Sequence, residues 1–168
     1  DKSIWEQYRI YLGQLLHGDL GVSYKLQKNV PVVTIIKQSF PISAKIGGMA
    51  IVFAILFGIP LGCISALKRG KWQDSVIRIV STLGIAVPSF VIATGSMLLF
   101  SIELKLLPTY GLNTPSSYIL PVFTLGFYPM CYIARLMRSS MLDTLGQDYI
   151  RTARAKGMSQ MVVTFKHA

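Results

Sequence analysis

The run DYIRTARAKGMSQ, Asp148 to Gln160, sets ionisable and small side chains in an order that suits docking rather than catalysis. Asp143 and Asp148 precede YIRTARAKG, which carries Arg151, Arg154 and Lys156, so acid lies towards the start of a short helix and base towards its end, as the helix dipole favours. Gly157 then stops that helix, and Ser159 is placed to cap a further one over residues 160–168. Thr152, Ala153, Ala155 and Gly157 carry little bulk and would let another protein's groove approach the backbone. A basic helix resting on anionic lipid is the alternative, worth about 1 kcal/mol per cation. Only Tyr149 and Ile150 offer bulky apolar groups to a lipid surface, so a protein socket fits better.

Other reactive side chains are scattered. Cys63 and Cys131 fall inside apolar stretches and read as small fillers. His17 and His167 stand far apart, without the HExxH context of a metal site. No His or carboxylate accompanies a Ser within an apolar stretch, which argues against an intramembrane protease, and nothing matches the phosphate-cradling GxxxxGK[ST] loop. The expectation is therefore no catalytic residue, no metal and no cofactor. Arg135 and Arg138, three apart, read as cations snorkelling at a membrane edge, ahead of any role in gating.

The elements that must position the docking run are greasy. Only 14% of residues are charged, against roughly a quarter in an ordinary soluble domain. Long uncharged gaps separate the charges, between Lys45 and Lys68, Arg78 and Glu103, and Leu106 and Ala134. Each provides, or nearly provides, the roughly twenty apolar residues that cross a hydrocarbon core as a helix. The fold class is thus an all-α membrane protein, a polytopic helical bundle with spans at about 46–67, 79–102 and 118–134, the last able to continue into RLMRSSML. Pro60, Pro88, Pro121 and Pro129 are tolerated inside such spans. The formal net charge of +10 does not point to nucleic acid, because it alternates along the chain: Lys68, Arg69, Lys71 and Arg78 crowd the first connector, and the segment after Ala134 is basic again. The positive-inside rule puts 68–78 and 135–168 in the cytoplasm, with residues 1–45 and 103–117 outside.

Residues 1–45 read as an extracytoplasmic region: an amphipathic helix over Ile4–Leu16, a loop turning on Gly18 and Gly21, and a second amphipathic run from Pro31 ended by Pro41. Gly58 and Gly62 form a GxxxG step that permits close helix contact.

Taken together, DYIRTARAKGMS, LGQLLHGDLGVSY, GIPLG, GIAVPSF and ARLMRSSML resemble the permease subunit of a binding-protein-dependent ABC importer of the oligopeptide, dipeptide and nickel type. The likeness covers essentially the whole chain. In that family a cytoplasmic Glu-Ala-Ala motif, followed by three residues and Gly, forms the helices that dock into the ATPase. Aligned on Gly157, its positions fall on Arg151, Thr152 and Ala153, so only the second Ala and the Gly match the general form, and the later Ile-x-Leu-Pro has no counterpart before Ala168. RTARAKG is instead similar to the peptide-importer branch. The resemblance implies an ATPase-coupling set of Asp148, Tyr149, Arg151, Thr152, Ala153, Arg154, Ala155 and Gly157, and pore-lining residues near Pro88 and Ser89. It also implies a second permease subunit, ATP-binding subunits and an extracytoplasmic solute-binding protein as partners, in a bacterial or archaeal inner membrane. Family members usually have six spans, so one N-terminal and two C-terminal spans would lie outside this sequence, making it an internal fragment. The rival reading is a non-transporting membrane scaffold that uses the basic helix pair to hold a soluble partner.

Overall fold

The computed structural model describes residues 2–164, apart from the side chain of Gln160. It is helical almost throughout and divides into two compact units, one through Lys45 and one from Ile46. Phe165 to Ala168, and with them His167 and the end of the helix expected over 160–168, lie outside the described residues.

In the first unit, α1 spans Ile4–Leu16, with the Ser3 hydroxyl accepting from the Glu6 amide at 3.4 Å as its cap. No residue of α1 is buried, and Trp5 and Tyr8 stack edge to face. Gly18 and Gly21 take positive φ in the loop that follows, and Val22 bridges Pro31.

The second amphipathic run does not end at Pro41. Helix α2 runs unbroken from Val32 to Leu67. Pro41 forfeits one amide hydrogen bond, to the Lys37 carbonyl, and the apolar run on its far side continues the helix regardless.

The second unit holds the C-terminal part of α2 and the remaining helices. After a turn at Lys68–Lys71, α3 spans Trp72–Ala86, so the cationic connector is shorter than expected and its Arg78 is already helical. The expected second span, 79–102, is not one rod. It breaks at Val87–Pro88, and the next helix, α4 (Ser89–Met97, continued by a π-helical turn over Leu98–Glu103), departs at 104°. The cause is local. Pro88 has no amide hydrogen for the Gly84 carbonyl, and Val87, preceding a proline, is pushed to an extended backbone with φ −81° and ψ 128°. A 3₁₀ turn at Pro115–Tyr118 leads into α5, Ile119–Leu145, which carries Pro129 inside it and does continue through RLMRSSML. Among the described residues, two stretches, Val32–Leu67 and Pro115–Leu145, are long and apolar enough to cross a bilayer, and the bent α3–α4 pair makes a third if it counts as one span.

Packing in this unit rests on missing side chains. A Cβ added at Gly58 would stand 2.9 Å from the Met130 carbonyl oxygen, and one at Gly62 would stand 2.6 Å from Met137 Cβ, so the GxxxG step of α2 is the seat of α5. Gly84 of α3 faces Cys131, which with Ala54 and Met130 forms the buried cluster of the bundle. Towards the other end of the pair, Phe53 and Phe57 of α2 meet, and Phe53 stacks on Phe123 of α5 at 6.0 Å. Large apolar side chains such as Ile51, Val52, Leu56, Ile79 and Leu136 point outwards instead.

Candidate functional site: a helical hairpin, an ion-pair latch and a cavity at a broken helix

The docking run forms helix α6, Asp148–Ala155, followed by α7, Gln160–Val162. Gly157 ends α6 in the left-handed conformation, φ +76°, with its amide donating to the Arg154 carbonyl at 2.9 Å and the Met158 amide to the Ala153 carbonyl at 3.3 Å. That pair of bonds is a Schellman closure, which a Cβ would strain. Ser159 caps α7 by accepting from the Val162 amide at 3.4 Å.

The hairpin has an inside and an outside. Ile150, Ala153 and Val163 are buried together against Leu145, the last residue of α5. Ala153 is therefore not available as a contact for another protein: with Ile150 three positions before it on the same face, it closes the hairpin on itself. Nor is Ile150 an apolar foot for lipid. Asp148, Tyr149, Arg151, Thr152, Arg154, Ala155 and Gly157 are exposed, and a Cβ at Gly157 would meet nothing within 4 Å. Asp148 and Arg151 make only a surface pair at 3.4 Å.

At the same end of the bundle lies a feature the sequence reading missed. Asp74, in the first turn of α3, is 2% exposed. Its carboxylate accepts from the Ser65 hydroxyl of α2 at 2.6 Å, from the Gly70 amide at 3.0 Å, and from Arg138 of α5 through Nε at 2.7 Å and Nη2 at 2.9 Å. The fork of a guanidinium on both oxygens is the strongest form such a bond takes. Arg138 is thus not snorkelling, because its side chain is only 20% exposed and is held inwards by Asp74. One carboxylate joins three helices. Asp74 is the lone acid among the cations of residues 68–78, and that isolation is the signal the sequence carries.

Pro88 and Ser89 stand at the α3–α4 break and line a cavity of about 490 Å³ with Thr124, Leu125, Tyr128 and Pro129 of α5. Two prolines meet here. Pro88 cannot serve the Gly84 carbonyl and Pro129 cannot serve that of Leu125, while Thr124 turns its hydroxyl back on the Leu120 carbonyl at 2.9 Å. Broken helices that present carbonyls and amide ends to a cavity are how membrane proteins build polar sites within an apolar bundle. The coupling set and this cavity are not brought together: Pro129 and Leu145 are sixteen residues apart on α5, roughly 24 Å. What links them is α5 itself and the Asp74 latch.

Comparison with known proteins places this architecture. Residues 58–168 match the family model described as binding-protein-dependent transport system inner membrane component. Over its whole length the chain is 40% identical to the dipeptide transport system permease protein DppB of Lactococcus lactis, covering 55% of that protein. It is 41% identical over 162 residues to DppB of Bacillus subtilis, 96% of this chain and 52% of the relative. It is 40% identical over 168 residues to the oligopeptide transport system permease protein OppB of Escherichia coli, 98% of this chain and 54% of the relative. The chain spans about half the length of these curated relatives. A bent, proline-broken helix pair, glycine-seated apolar helices and an outward-faced basic hairpin thus sit in a sequence that belongs to the binding-protein-dependent transport system inner membrane component family.

Proposed function

We propose that this chain is the pore-forming part of a transmembrane permease subunit of an ATP-driven importer for peptides or related small solutes. It supplies half of the translocation path and has no chemistry of its own. Its partners are a second permease subunit, ATP-binding subunits and an extracytoplasmic solute-binding protein, in a bacterial or archaeal inner membrane. The names of the relatives, all permeases, favour this over a scaffold.

The observation that carries the reading is the α6–α7 hairpin: Ile150, Ala153 and Val163 pack onto Leu145 at the end of α5, and Asp148, Arg151, Thr152, Arg154 and Gly157 are left on the outside beside the exposed Tyr149, Met161 and Val162. On this reading the ATPase cleft receives Tyr149, Arg151, Thr152, Arg154 and Gly157, while Ala153 keeps the hairpin rigid. Displacement of the hairpin passes through Leu145 to α5, and from α5 through Arg138 and Asp74 to α3 and α2. The joint at Val87–Pro88 is where α3 can swing against α4, and the cavity beside it then opens to one side or the other. That is a two-position element biased by nucleotide bound to a partner, as coupling requires.

The test is cross-linking in the intact importer. Thr152→Cys and Arg154→Cys should join a cysteine in the ATPase cleft in a nucleotide-dependent way, and Arg151→Glu should cut uptake severely with normal amounts of permease in the membrane. Uptake at the wild-type level in Arg151→Glu, with no cross-link at either cysteine, overturns the coupling role. Orientation is checked separately: Lys156 should be modified by an impermeant amine reagent only from the cytoplasmic side.

A further inference from the structure

A second cavity, about 410 Å³, lies between α3 and α5 and is lined by Arg78, Thr82, Tyr132, Arg135, Arg138 and Ser139, with Leu136 as its one aliphatic wall. Its lining continues that of the cavity at the break. On α3 the register runs Arg78, Thr82, then Ile85 and Ala86; on α5 it runs Thr124, Tyr128, Tyr132, Arg135 and Ser139. Steps of three and four keep each series on one helix face. The two cavities are therefore stations on one groove, with uncharged polar groups at the broken helix and guanidinium groups at the far end.

The charge there is not balanced. Three arginines face one carboxylate, Asp74, which is committed to Arg138 and meets Arg78 only at 3.8 Å, with the Arg78 side chain 57% exposed. Arg135 has no carboxylate partner among the described residues, and the hydroxyls of Thr82, Tyr132 and Ser139 make no hydrogen bond there. A half-open chamber with a net charge of two positives and three idle hydroxyl groups is chemically complementary to a small oxyanion.

We propose that this cavity is a cationic mouth at the cytoplasmic end of the translocation groove, where Arg135 and Arg78 receive the carboxylate of the departing solute. It deepens, and rests on, the reading of Pro88 and Ser89 as pore-lining. Peptides carry a terminal carboxylate, and a positive mouth on the product side draws that group past the break without a deep binding site. Arg138 contributes field, but Asp74 holds it in place, so Arg135 and Arg78 do the selecting.

The test is charge-selective labelling in the intact importer in inside-out vesicles, on a background without native cysteines. Ser139→Cys is treated with two small thiol reagents of similar size, an anionic sulfonatoethyl and a cationic trimethylammonioethyl methanethiosulfonate. A guanidinium on the order of 8 Å away changes the ratio of anionic to cationic rates about sixfold in water's dielectric at low salt, and about twofold at physiological salt. The ratio of anionic to cationic rates at Ser139→Cys should therefore exceed that of a free small thiol under the same conditions, and Arg135→Gln should lower it by those factors. A ratio unmoved by Arg135→Gln or by salt overturns the proposal. So does a Ser139→Cys inert to both reagents, which would mean that lipid or a neighbouring helix fills the cavity. Ser89→Cys separates the two readings: if it is labelled while the rate ratio at Ser139→Cys is no higher than that of a free thiol, the mouth falls and the pore stands. If Ser89→Cys is inert in every nucleotide state, the pore reading itself has failed.

Discussion

Replacing Asp74 by Asn keeps the shape of the side chain and removes the charge that three helices share. The loss can be worked from the four bonds. An amide oxygen still accepts from Ser65 Oγ and Arg138 Nε, but the amide nitrogen is turned towards the Gly70 amide and Arg138 Nη2, both donors, where the carboxylate accepted at 3.0 and 2.9 Å. Two bonds are lost and two donors are set against a third. The Arg138 guanidinium, 20% exposed, is then left without its counter-ion. Breaking a buried pair from one side costs about 3–5 kcal/mol, most of it from the stranded charge. Arg78→Gln is the control: its contact with the same carboxylate is 3.8 Å and its side chain 57% exposed, so no more than about 0.5 kcal/mol is expected. The measurement is denaturation of the intact permease in mild detergent titrated with a denaturing one, for wild type, Asp74→Asn, Arg138→Gln and the double variant. The double variant should lie well short of the sum of the singles, with a coupling of about 2–3 kcal/mol. Additive singles, or an Asp74→Asn no worse than Arg78→Gln, would refute the idea that this carboxylate ties the helices together.

Gly62→Ala puts a methyl 2.6 Å from Met137 Cβ and should cost about 1–3 kcal/mol in the same assay, whereas Gly47→Ala, with nothing within 4 Å, should be neutral or slightly stabilising. Gly157→Ala forces a Cβ into φ +76° and should cost about 1 kcal/mol, read as faster proteolytic cleavage between α6 and α7 in the intact permease. Ala153→Leu should loosen the hairpin and raise the same cleavage rate, while Thr152→Leu, on the outer face, should leave cleavage unchanged and weaken only the nucleotide-dependent cross-link to the ATPase.

Local chemistry was readable wherever one stretch of chain decides the outcome. Ile4–Leu16 is a helix because its apolar spacing and Ser3 say so, and Gly157 and Ser159 punctuate the hairpin as their side chains dictate. Proline was harder to read, because its effect depends on what surrounds it. Pro41 and Pro129 sit inside continuing helices, whereas Pro88, with an extended Val87 before it, turns the chain through 104°. Pairings across the bundle left little trace in the sequence. Asp74 and Arg138 are 64 residues apart, and only the close approach of α3 and α5 through Gly84 makes them partners. The inward turn of Ala153 likewise depends on Val163, which belongs to a different helical segment.

The glycine and alanine seats between the helices invert the usual relation between size and importance. Ala50, Ala54, Gly58 and Gly62 mark where α2 is gripped, while Ile51, Val52, Ile55 and Leu56 beside them face away. Trimming an outward isoleucine removes contact with a medium that any hydrocarbon can replace, but adding one carbon to a seat prises two backbones apart. Mutational tolerance along α2 should therefore track how much is added rather than how much is removed, the reverse of what a water-soluble core displays.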